Sequence, residues 1–328
     1  MMLSPEDLAA IVGAANLAPS VHNTQPTRWR LEPDGAVLVL EVIARRLPVG
    51  DPEGRDAAVS HGAAIEGFAL TCGTKGLAVT AELLDGEPEE GLRPVARLTL
   101  APAGPLDPLQ AFVPIRRTYR GAFAKGGDAG RLEVLAAADD ITLVSAREGV
   151  ARLAELNDEA SLRTYRDRAF RAELLSWMRL SRGDPRWSVD GLNAEAMEMS
   201  GIAAVGAGLV LRPGVFKALD GTGLARMLVA EAAVVRSAAA IVLFHRPDGE
   251  DPLLTGRRFH RLWLDFASLG FSAAPMAVLA DDLATREIIA REFSTPPAHR
   301  LITAFRVGLA PARQLAPKPR LPVSALIV

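Results

Sequence analysis

Length, composition and charge limit what this chain can do. Its 328 residues, 49% hydrophobic and 23% charged, can bury a sizeable core in one large domain or two smaller ones. The formal net charge of −2 excludes the global positive field that holds a nucleic-acid backbone, so no nucleic-acid partner is expected. Cys72 is the single cysteine, which excludes an intramolecular disulfide and a multi-cysteine metal site and favours a reducing compartment.

The start of the chain and its longest apolar run bear on localisation. Met1 is followed neither by a basic leader nor by an apolar stretch, so no signal peptide is expected. The longest uncharged apolar run, GIAAVGAGLVL, is about half of the roughly 20 residues that a membrane span needs. We therefore predict a cytoplasmic protein with no membrane partner.

The first part of the chain predicts helices that alternate with paired strands. Ser4 as N-cap and Asp7 as capping acid begin a helix that ends near Leu17. The stretch TRWRLEPDGAVLVLEVI predicts a hairpin that turns at 33–35. A buried helix follows, with Gly76 as its C-terminal stop. Two strands, near LAVTAELL and RPVARLTLAP, complete this part.

The second part follows a proline-rich connector, APAGPLDPLQAFVP. Charge on a helical period from AREGV to SWMRL predicts a long helix, and the glycine-rich stretch 181–214 is predicted to be irregular. Beyond it we expect a buried strand in SAAAIVLFHRP and an apolar helix in GRRFHRLWLDFASLG that ends at Gly270. A last strand is expected in HRLITAFRVGLAP.

The two parts are similar in the order of their elements. EGFALTCGTKGLAVTAELL is echoed by RLWLDFASLGFSAAPMAVL, and RPVARLTLAP is echoed by HRLITAFRVGLAP. Either the chain holds two copies of one domain, or two similar helix–strand units share no common plan. The predicted class is α+β, with antiparallel sheet flanked by helices in two pseudo-repeated halves. The predicted boundaries are 1–100 for the first half, 101–114 for the connector and 115–328 for the second half, with a helical insertion at about 162–215.

Three stretches concentrate hydrogen-bonding chemistry between prolines. APSVHNTQP holds the amide side chains of Asn23 and Gln25, which donate and accept at once and so suit the edge of a heterocycle. RRTYR and KPR hold guanidinium, hydroxyl and ammonium groups that suit a phosphate dianion. Each stretch alone is explained as well by a solvated face or a mobile tail. Together they predict one site with a heterocycle end and a phosphate end.

These stretches, together with LGFSAAPM at 269–276 and the longer KPRLP, resemble the nitroreductase-like flavoproteins that bind FMN. The resemblance implies the nitroreductase-like fold and FMN as the cofactor. The implied neighbours of the flavin ring are Pro19, Ser20, Val21, Asn23 and Gln25. The implied phosphate ligands are Arg116, Arg117, Thr118, Arg120, Lys318 and Arg320. Pro275, Met276 and Ala277 are the implied neighbours of flavin N5.

The order of the motifs resembles a fused, Acg-type branch of that family. In simple members the arginine segment precedes the P-S-x-x-N loop, and the flavin lies between two subunits. Here the loop comes first and RRTYR follows the connector, so one chain is expected to form one complete site. The resemblance implies a monomer that is an internal pseudo-dimer, or a homodimer. Two departures affect the ring contacts: Thr27 stands where tryptophan is usual, and Val21 stands where a second serine is common.

No catalytic side chain or metal ion is implied, because flavin carries its own reactivity. The five histidines have no metal-ligand spacing. His61 and His260 are expected to be hydrogen-bonded structural residues, and His22 is expected to lie beside the flavin.

Two functions are compatible with the resemblance. The leading hypothesis is a ping-pong reductase, in which NADH or NADPH passes hydride to flavin N5 and a nitroaromatic or quinone-like acceptor then takes the same place. The alternative is a flavin-sequestering protein with little turnover, in which the insertion at about 162–215 forms a lid. A flavin-free scaffold requires all three polar stretches to be coincidental.

Overall fold

A computed structural model describes residues 3–312 and 317–328 and shows two four-stranded antiparallel sheets with helices between and around them. The elements of the first half are α1 (Pro5–Ala15), β1 (Thr27–Leu31), β2 (Val37–Val42), α2 (Arg55–Gly73), β3 (Leu77–Leu83) and β4 (Leu92–Pro102). Their strands lie in the order β1-β2-β4-β3. A short 3-10 helix at Pro108–Phe112 leads to the second half.

The second half contains a sheet of the same design. Its first strand is β5 (Ile141–Val144). Residues 145–239 follow as a long, mainly helical segment, which we call the excursion. It contains α3 (Arg147–Arg166), α4 (Arg168–Trp177), β6 (Met178–Arg179), β7 (Leu192–Asn193), α5 (Gly201–Val210), α6 (Pro213–Gly221), α7 (Leu224–Val229) and α8 (Ala232–Val235). The remaining elements are β8 (Ala240–Pro247), α9 (Pro252–Ser268), β9 (Ser272–Pro275), α10 (Val278–Asp281), α11 (Leu283–Glu292) and β10 (His299–Gly308). The strand order is β5-β8-β10-β9.

The two sheets therefore repeat one plan. In each half a helix connects the second strand to the third, and the third strand pairs at one edge of the sheet with the fourth. The predicted α+β class with two pseudo-repeated halves is confirmed. The shared strand order excludes the alternative of two helix–strand units without a common plan.

The two connecting helices, α2 and α9, pack against each other at the centre of the molecule. They cross where Gly62 meets Gly256, because an added Cβ at Gly62 would lie 1.9 Å from the carbonyl oxygen of Leu253. An added Cβ at Gly256 would likewise lie 2.1 Å from the carbonyl oxygen of Val59. Only glycine permits so close an approach of two helix backbones. The crossing fixes the two sheets relative to each other.

Several element ends differ from the sequence-based expectation for local reasons. Helix α1 begins on the predicted Ser4 cap, whose hydroxyl accepts from the Asp7 amide at 3.0 Å, but ends at Ala15. Helix α2 ends at Gly73, and Gly76, with φ of 68°, lies in the turn that follows. The predicted long helix is broken at Asp167, whose side chain caps α4 by accepting from the Ala169 amide at 2.7 Å.

The prediction of irregular backbone throughout 181–214 is wrong for α5. The Ser200 hydroxyl caps this helix by accepting from the Ala203 amide at 3.2 Å. Alanine, leucine and valine between the glycines then carry the helix to Val210. Within the described ranges no single helix is long and apolar enough to cross a membrane; α5 and α6 would suffice together, but they are bent by 88°.

The C-terminal segment returns to the first half. The amide of Trp29 donates to the carbonyl of Leu326 at 2.9 Å, and the amide of Val328 donates to the carbonyl of Trp29 at 3.0 Å. Trp29 in turn stacks on Phe68 of α2, with ring centroids 4.8 Å apart. Residues from the far end of the sequence thus cover the edge of β1 and stand next to the loop that precedes it.

Candidate functional site

A cavity of about 850 Å³ lies where the loop 18–26, the segment 116–120, the loop after β9 and the segment 317–320 meet. Helices and turns of the excursion between β5 and β8 form much of its remaining wall. The predicted site residues that line it are Pro19, Ser20, Val21, Asn23, Arg116, Arg117, Thr118, Arg120, Pro275, Met276, Ala277, Lys318 and Arg320. The structure therefore brings together segments that are far apart in sequence, and only Gln25 of the predicted set is not on the wall.

The loop 18–26 is held in an unusual backbone conformation. His22, Asn23 and Gln25 have φ values of 43°, 54° and 51°, in the left-handed region that non-glycine residues rarely adopt. The Ser20 hydroxyl stabilises this shape by accepting from the Gln25 amide at 3.1 Å. Such backbone persists only where surrounding contacts enforce it, and it is typical of ligand-binding loops.

Gln25 has a structural role that the sequence did not predict. Its side-chain oxygen accepts from the Leu321 amide at 2.8 Å and from the Asn16 side chain at 3.1 Å. Its amide nitrogen donates to the carbonyl of Val189 at 2.9 Å. The side chain joins α1, the C-terminal segment and the excursion behind the cavity, instead of facing the cavity.

Arg116 is a buried cation with spare hydrogen-bonding capacity. Only 2% of the residue is exposed, and its guanidinium lies 4.7 Å from the ring centroid of Trp263. Nη2 donates to the carbonyl of Leu17 at 2.7 Å, whereas Nε and Nη1 have no hydrogen-bond partner within the described part of the chain. Burial, and then the nearby Arg320, lower the pKa of Arg116 to about 9.

Two cations of the C-terminal segment lie at the same end of the cavity. Arg320 donates through Nη1 to the side-chain oxygen of Asn23 at 2.8 Å and through Nη2 to the carbonyls of Leu17 and Ala18. Lys318 donates to the carbonyl of Pro114 at 3.1 Å. Burial, and then the neighbouring arginines, lower the pKa of Lys318 to about 6. Crowded cations that are short of water favour an anionic ligand.

The loop after β9 reaches the cavity from the second half. The amide of Met276 donates to the carbonyl of Ala304 at 2.7 Å, which extends the sheet by one more bond. The next residue, Ala277, is exposed and lies on the cavity wall. Among the described residues the Ala277 amide has no acceptor, so it is available to a ligand.

Several known proteins are similar to this chain in sequence or in fold. No protein-family model matches the chain. A provisionally named NAD(P)H nitroreductase, acg, of Mycobacterium tuberculosis is 26% identical over 98% of this chain and 95% of its own length. Another provisionally named NAD(P)H nitroreductase of that organism, Rv3131, is 30% identical over 52% of this chain and 51% of its own length. A crystal structure of a provisionally named nitroreductase from Anabaena variabilis has a TM-score of 0.50 at 11% identity and covers 93% of this chain and 88% of that one.

The chain resembles nitroreductases in sequence and in fold. The full-length similarity to acg and the shared fold both support this conclusion. The wall of the cavity also includes residues that the sequence did not single out. Tyr165 and Phe170 come from α3 and α4, and their rings meet edge to face with centroids 6.2 Å apart. Asp56 comes from the first turn of α2, where an acidic residue ordinarily indicates only a favourable helix start.

The environments of the histidines and of Cys72 differ. His22 lines the cavity, and burial followed by the charge of Arg120 lowers its pKa to about 4, so its ring is neutral at physiological pH. His61 and His260 are buried and hydrogen-bonded, to the Thr27 hydroxyl at 2.8 Å and the Ala63 carbonyl at 2.7 Å respectively. Burial raises the pKa of Cys72 to about 12. Within residues 3–312 and 317–328 no cluster of His, Cys, Asp and Glu could hold a metal ion.

The excursion is fastened to the loop 18–26 beside the cavity. Asp190, which is fully buried, forms ion pairs with Arg45 at 3.1 Å, with Arg179 at 3.0 Å and with Arg186. Next to it, the Gly191 amide donates to the carbonyl of Asn23 at 3.2 Å. A buried carboxylate shared by three arginines is costly to break, because each cation would then lose its counter-charge. The excursion is therefore a fixed part of the cavity wall.

Proposed function

We propose that the chain binds FMN in this cavity and acts as an NAD(P)H-dependent reductase of nitroaromatic or quinone-like acceptors. The observation that carries the proposal is Arg116, a buried guanidinium at the end of the cavity where the other cations gather, two of whose nitrogen atoms have no hydrogen-bond partner among the described residues. Forked donors of this kind suit a phosphate group. The names of the curated relatives, NAD(P)H nitroreductases, support the reductase part of the proposal.

The two ends of the cavity fit the two ends of FMN. Arg116, Arg120, Lys318 and Arg320 would hold the phosphate, with the Thr118 hydroxyl beside them. The loop 18–26 would lie along the ring, and the amide of Ala277, which has no acceptor among the described residues, would donate to a ring nitrogen. A volume of about 850 Å³ lies within the range of pockets that take ligands of this size.

The reaction divides between cofactor and protein. FMN, when bound, supplies the two-electron chemistry by which NADH or NADPH is oxidised and an acceptor is reduced. The chain's own residues bind and orient: the phosphate cations hold one end, and the aromatic rings of Tyr165 and Phe170 limit the access of water from the excursion side. None of the described side chains needs to form a covalent bond in this cycle. A small-molecule acceptor, a cytoplasmic location and a monomeric or homodimeric state remain predictions.

The first test is the visible spectrum of the desalted protein, followed without oxygen as NADPH and then NADH are added. A flavin spectrum that bleaches supports the reductase. If the protein holds no flavin and takes up none from added FMN, the proposal is wrong.

The phosphate assignment is tested by FMN titration of Arg120→Gln and Lys318→Met, with the exposed Lys125→Gln as the matched control. We expect each cavity variant to bind FMN about tenfold to a hundredfold more weakly, because each loses a hydrogen bond to a charged group. Arg320→Ala should weaken FMN retention too, but Arg320 also ties the loop to the C-terminal segment and is a less clean probe. Equal affinity in all variants would contradict the assignment.

The second candidate function is flavin sequestration with little turnover. It is favoured by the Asp190 anchor, which fixes the excursion as part of the cavity wall. In that case the flavin spectrum would be present but would resist both nicotinamides. Removal of 162–215 would then increase its reaction with an external reductant, whereas a reductase that uses this segment as its pocket wall would lose activity.

A further inference from the structure

The outer face of α5, α6 and α7 is unusually apolar for an exposed surface. Ile202 is 88% exposed and Met227 is 75% exposed, and the two lie on different helices of one continuous segment. We call this the α5–α7 face, and its exposed apolar residues are Ile202, Val205, Leu209, Val215, Leu224, Met227 and Leu228. Large apolar side chains exposed in such number on one short segment are typical of surfaces that bind a partner or a membrane.

The face is built on a fixed support. Beneath it Phe216 is 2% exposed, and the guanidinium of Arg171 lies 4.2 Å from its ring centroid. Ala204 and Ala225 are also buried, so each of the three helices has an inner side that packs on the protein. The outward side chains are therefore presented by helices with a definite orientation.

Charge distinguishes between the possible partners of this face. Arg212, Lys217 and Arg226 are exposed within the same segment, and none has a side-chain partner among the described residues. Asp220 is the segment's one carboxylate, and it is already paired with Arg166 at 3.0 Å. A second copy docked through the same patch would bring like cations together, since a two-fold contact is self-complementary. An anionic lipid surface instead complements both the apolar and the basic groups.

We propose that the α5–α7 face docks reversibly on anionic bilayers, with its helices lying in the plane of the interface. The bend of 88° between α5 and α6 suits two short helices that lie on a surface. The expectation of no membrane partner rested on the length of the apolar run, which concerns spanning and not adsorption. Because the same excursion lines the cavity, docking brings the cavity close to acceptors dissolved in lipid; this consequence rests on the proposed function, whereas the docking itself does not.

The proposal is tested by co-sedimentation of the full chain with vesicles. Vesicles of phosphatidylcholine with phosphatidylglycerol are compared with vesicles of phosphatidylcholine alone, at low and at high salt. We expect binding to the anionic vesicles only, weakened by salt because the cations are exposed and screened. Flavin content and reductase activity do not enter this measurement, so its failure is distinguishable from failure of the proposed function.

Two sets of variants separate the contribution of the cations to vesicle binding from that of the apolar side chains. Arg212→Gln, Lys217→Gln and Arg226→Gln combined should weaken binding about a hundredfold, at about fivefold for each cation near the surface. Ile202→Gln with Met227→Gln should weaken it at least tenfold, whereas Leu106→Gln with Val134→Gln, an exposed apolar pair outside this face (51% and 66% exposed), is the control. These positions are exposed, so the variants should fold.

Three outcomes would overturn the proposal. The first is an absence of binding to anionic vesicles. The second is binding that neither set of variants changes. The third is a concentration-dependent dimer, lost in Ile202→Gln with Met227→Gln and formed without any vesicle binding, which would assign the face to a second copy of the chain.

Discussion

The two halves share a frame but differ most in the connection between their first two strands. In the first half β1 and β2 are joined by a tight turn, closed where the Glu32 amide donates to the carbonyl of Ala36 at 2.9 Å. In the second half the corresponding strands, β5 and β8, are separated by residues 145–239. That excursion provides part of the cavity wall, the Asp190 anchor and the α5–α7 face. The repeated elements thus set the architecture, whereas this excursion, which replaces a tight turn, carries most of what distinguishes this chain.

The crossing of α2 and α9 holds the shared frame together at its centre, and its disruption should cause the largest loss of stability. Gly62→Ala places a Cβ 1.9 Å from a backbone carbonyl of α9, so a whole helix must shift. We expect a loss of about 5 kcal/mol or more in the free energy of unfolding, beyond the roughly 1–3 kcal/mol that is usual for overpacking, because backbone and not a side chain must move. Gly256→Ala should be as harmful, because its Cβ would lie 2.1 Å from a carbonyl of α2. Chemical denaturation measures both.

Gly206→Ala is the matched control for these two variants. Gly206 also lies inside a helix, but an added Cβ there meets nothing within 4 Å. This variant should gain up to about 1 kcal/mol, since alanine restricts the unfolded chain more than glycine does. If only one of the two central variants is destabilised, the halves are not equivalent at the crossing.

The isosteric substitution Asp190→Asn should release the excursion from the loop 18–26. We expect it to cause the next largest loss of stability. Three arginines would lose their common carboxylate, and removal of one partner from a buried ion pair costs about 3–5 kcal/mol. We expect faster proteolytic cleavage within 162–215 and faster release of bound flavin, while the two sheets stay folded. Glu53→Gln, which affects only an exposed pair with Arg55, is the control. Unchanged cleavage would show that other contacts hold the excursion.

The smallest predicted effect concerns a proton at Lys318. Its folded-state pKa of about 6 lies below the ordinary 10.5, so between these values the unfolded chain binds a proton that the folded chain does not. The contribution of this group to stability therefore rises with pH across that window and is least favourable below it. A bound phosphate favours the charged ammonium, so FMN binding near pH 8 should take up close to one proton and weaken as pH rises.

Calorimetry in two buffers of different ionisation enthalpy measures this uptake. Lys318→Arg should bind FMN without it, because a guanidinium is already protonated when the ligand arrives. Equal uptake in the wild-type chain and in Lys318→Arg would assign the proton to another group.

Many helices and strands of the two repeated halves could be predicted from the sequence, because the patterns that indicate them lie within each element. The Ser4 cap, the hairpin turn at 33–35 and the apolar periods of α2 and α9 each depend on neighbouring residues. The cavity lining was anticipated through the resemblance of short motifs. Gln25 shows the limit of that approach, since its partners Leu321 and Val189 are remote in sequence. No spacing distinguishes an amide that faces a ligand from one that joins two segments.

The excursion was the least predictable part of the molecule. Glycine in 201–210 lowers intrinsic helix propensity, and the Ser200 cap with the packing of Ala204 offsets that loss. Asp190 was not singled out, because a carboxylate becomes an anchor only when folding brings Arg45 and Arg179 to it.

The return of the C-terminal segment to the first half has a consequence for biosynthesis. The loop 18–26 is completed by Arg320 and Leu321, and the edge of β1 is covered by Ile327, so these contacts join the two extremes of the sequence. During translation the first sheet emerges early with this edge uncovered, and an uncovered strand edge invites pairing with other chains. Native contacts of such long range also form slowly. The candidate cavity is thus completed only after residues 317–321 have been synthesised, and the nascent first half is the stage at which chaperones would be needed most.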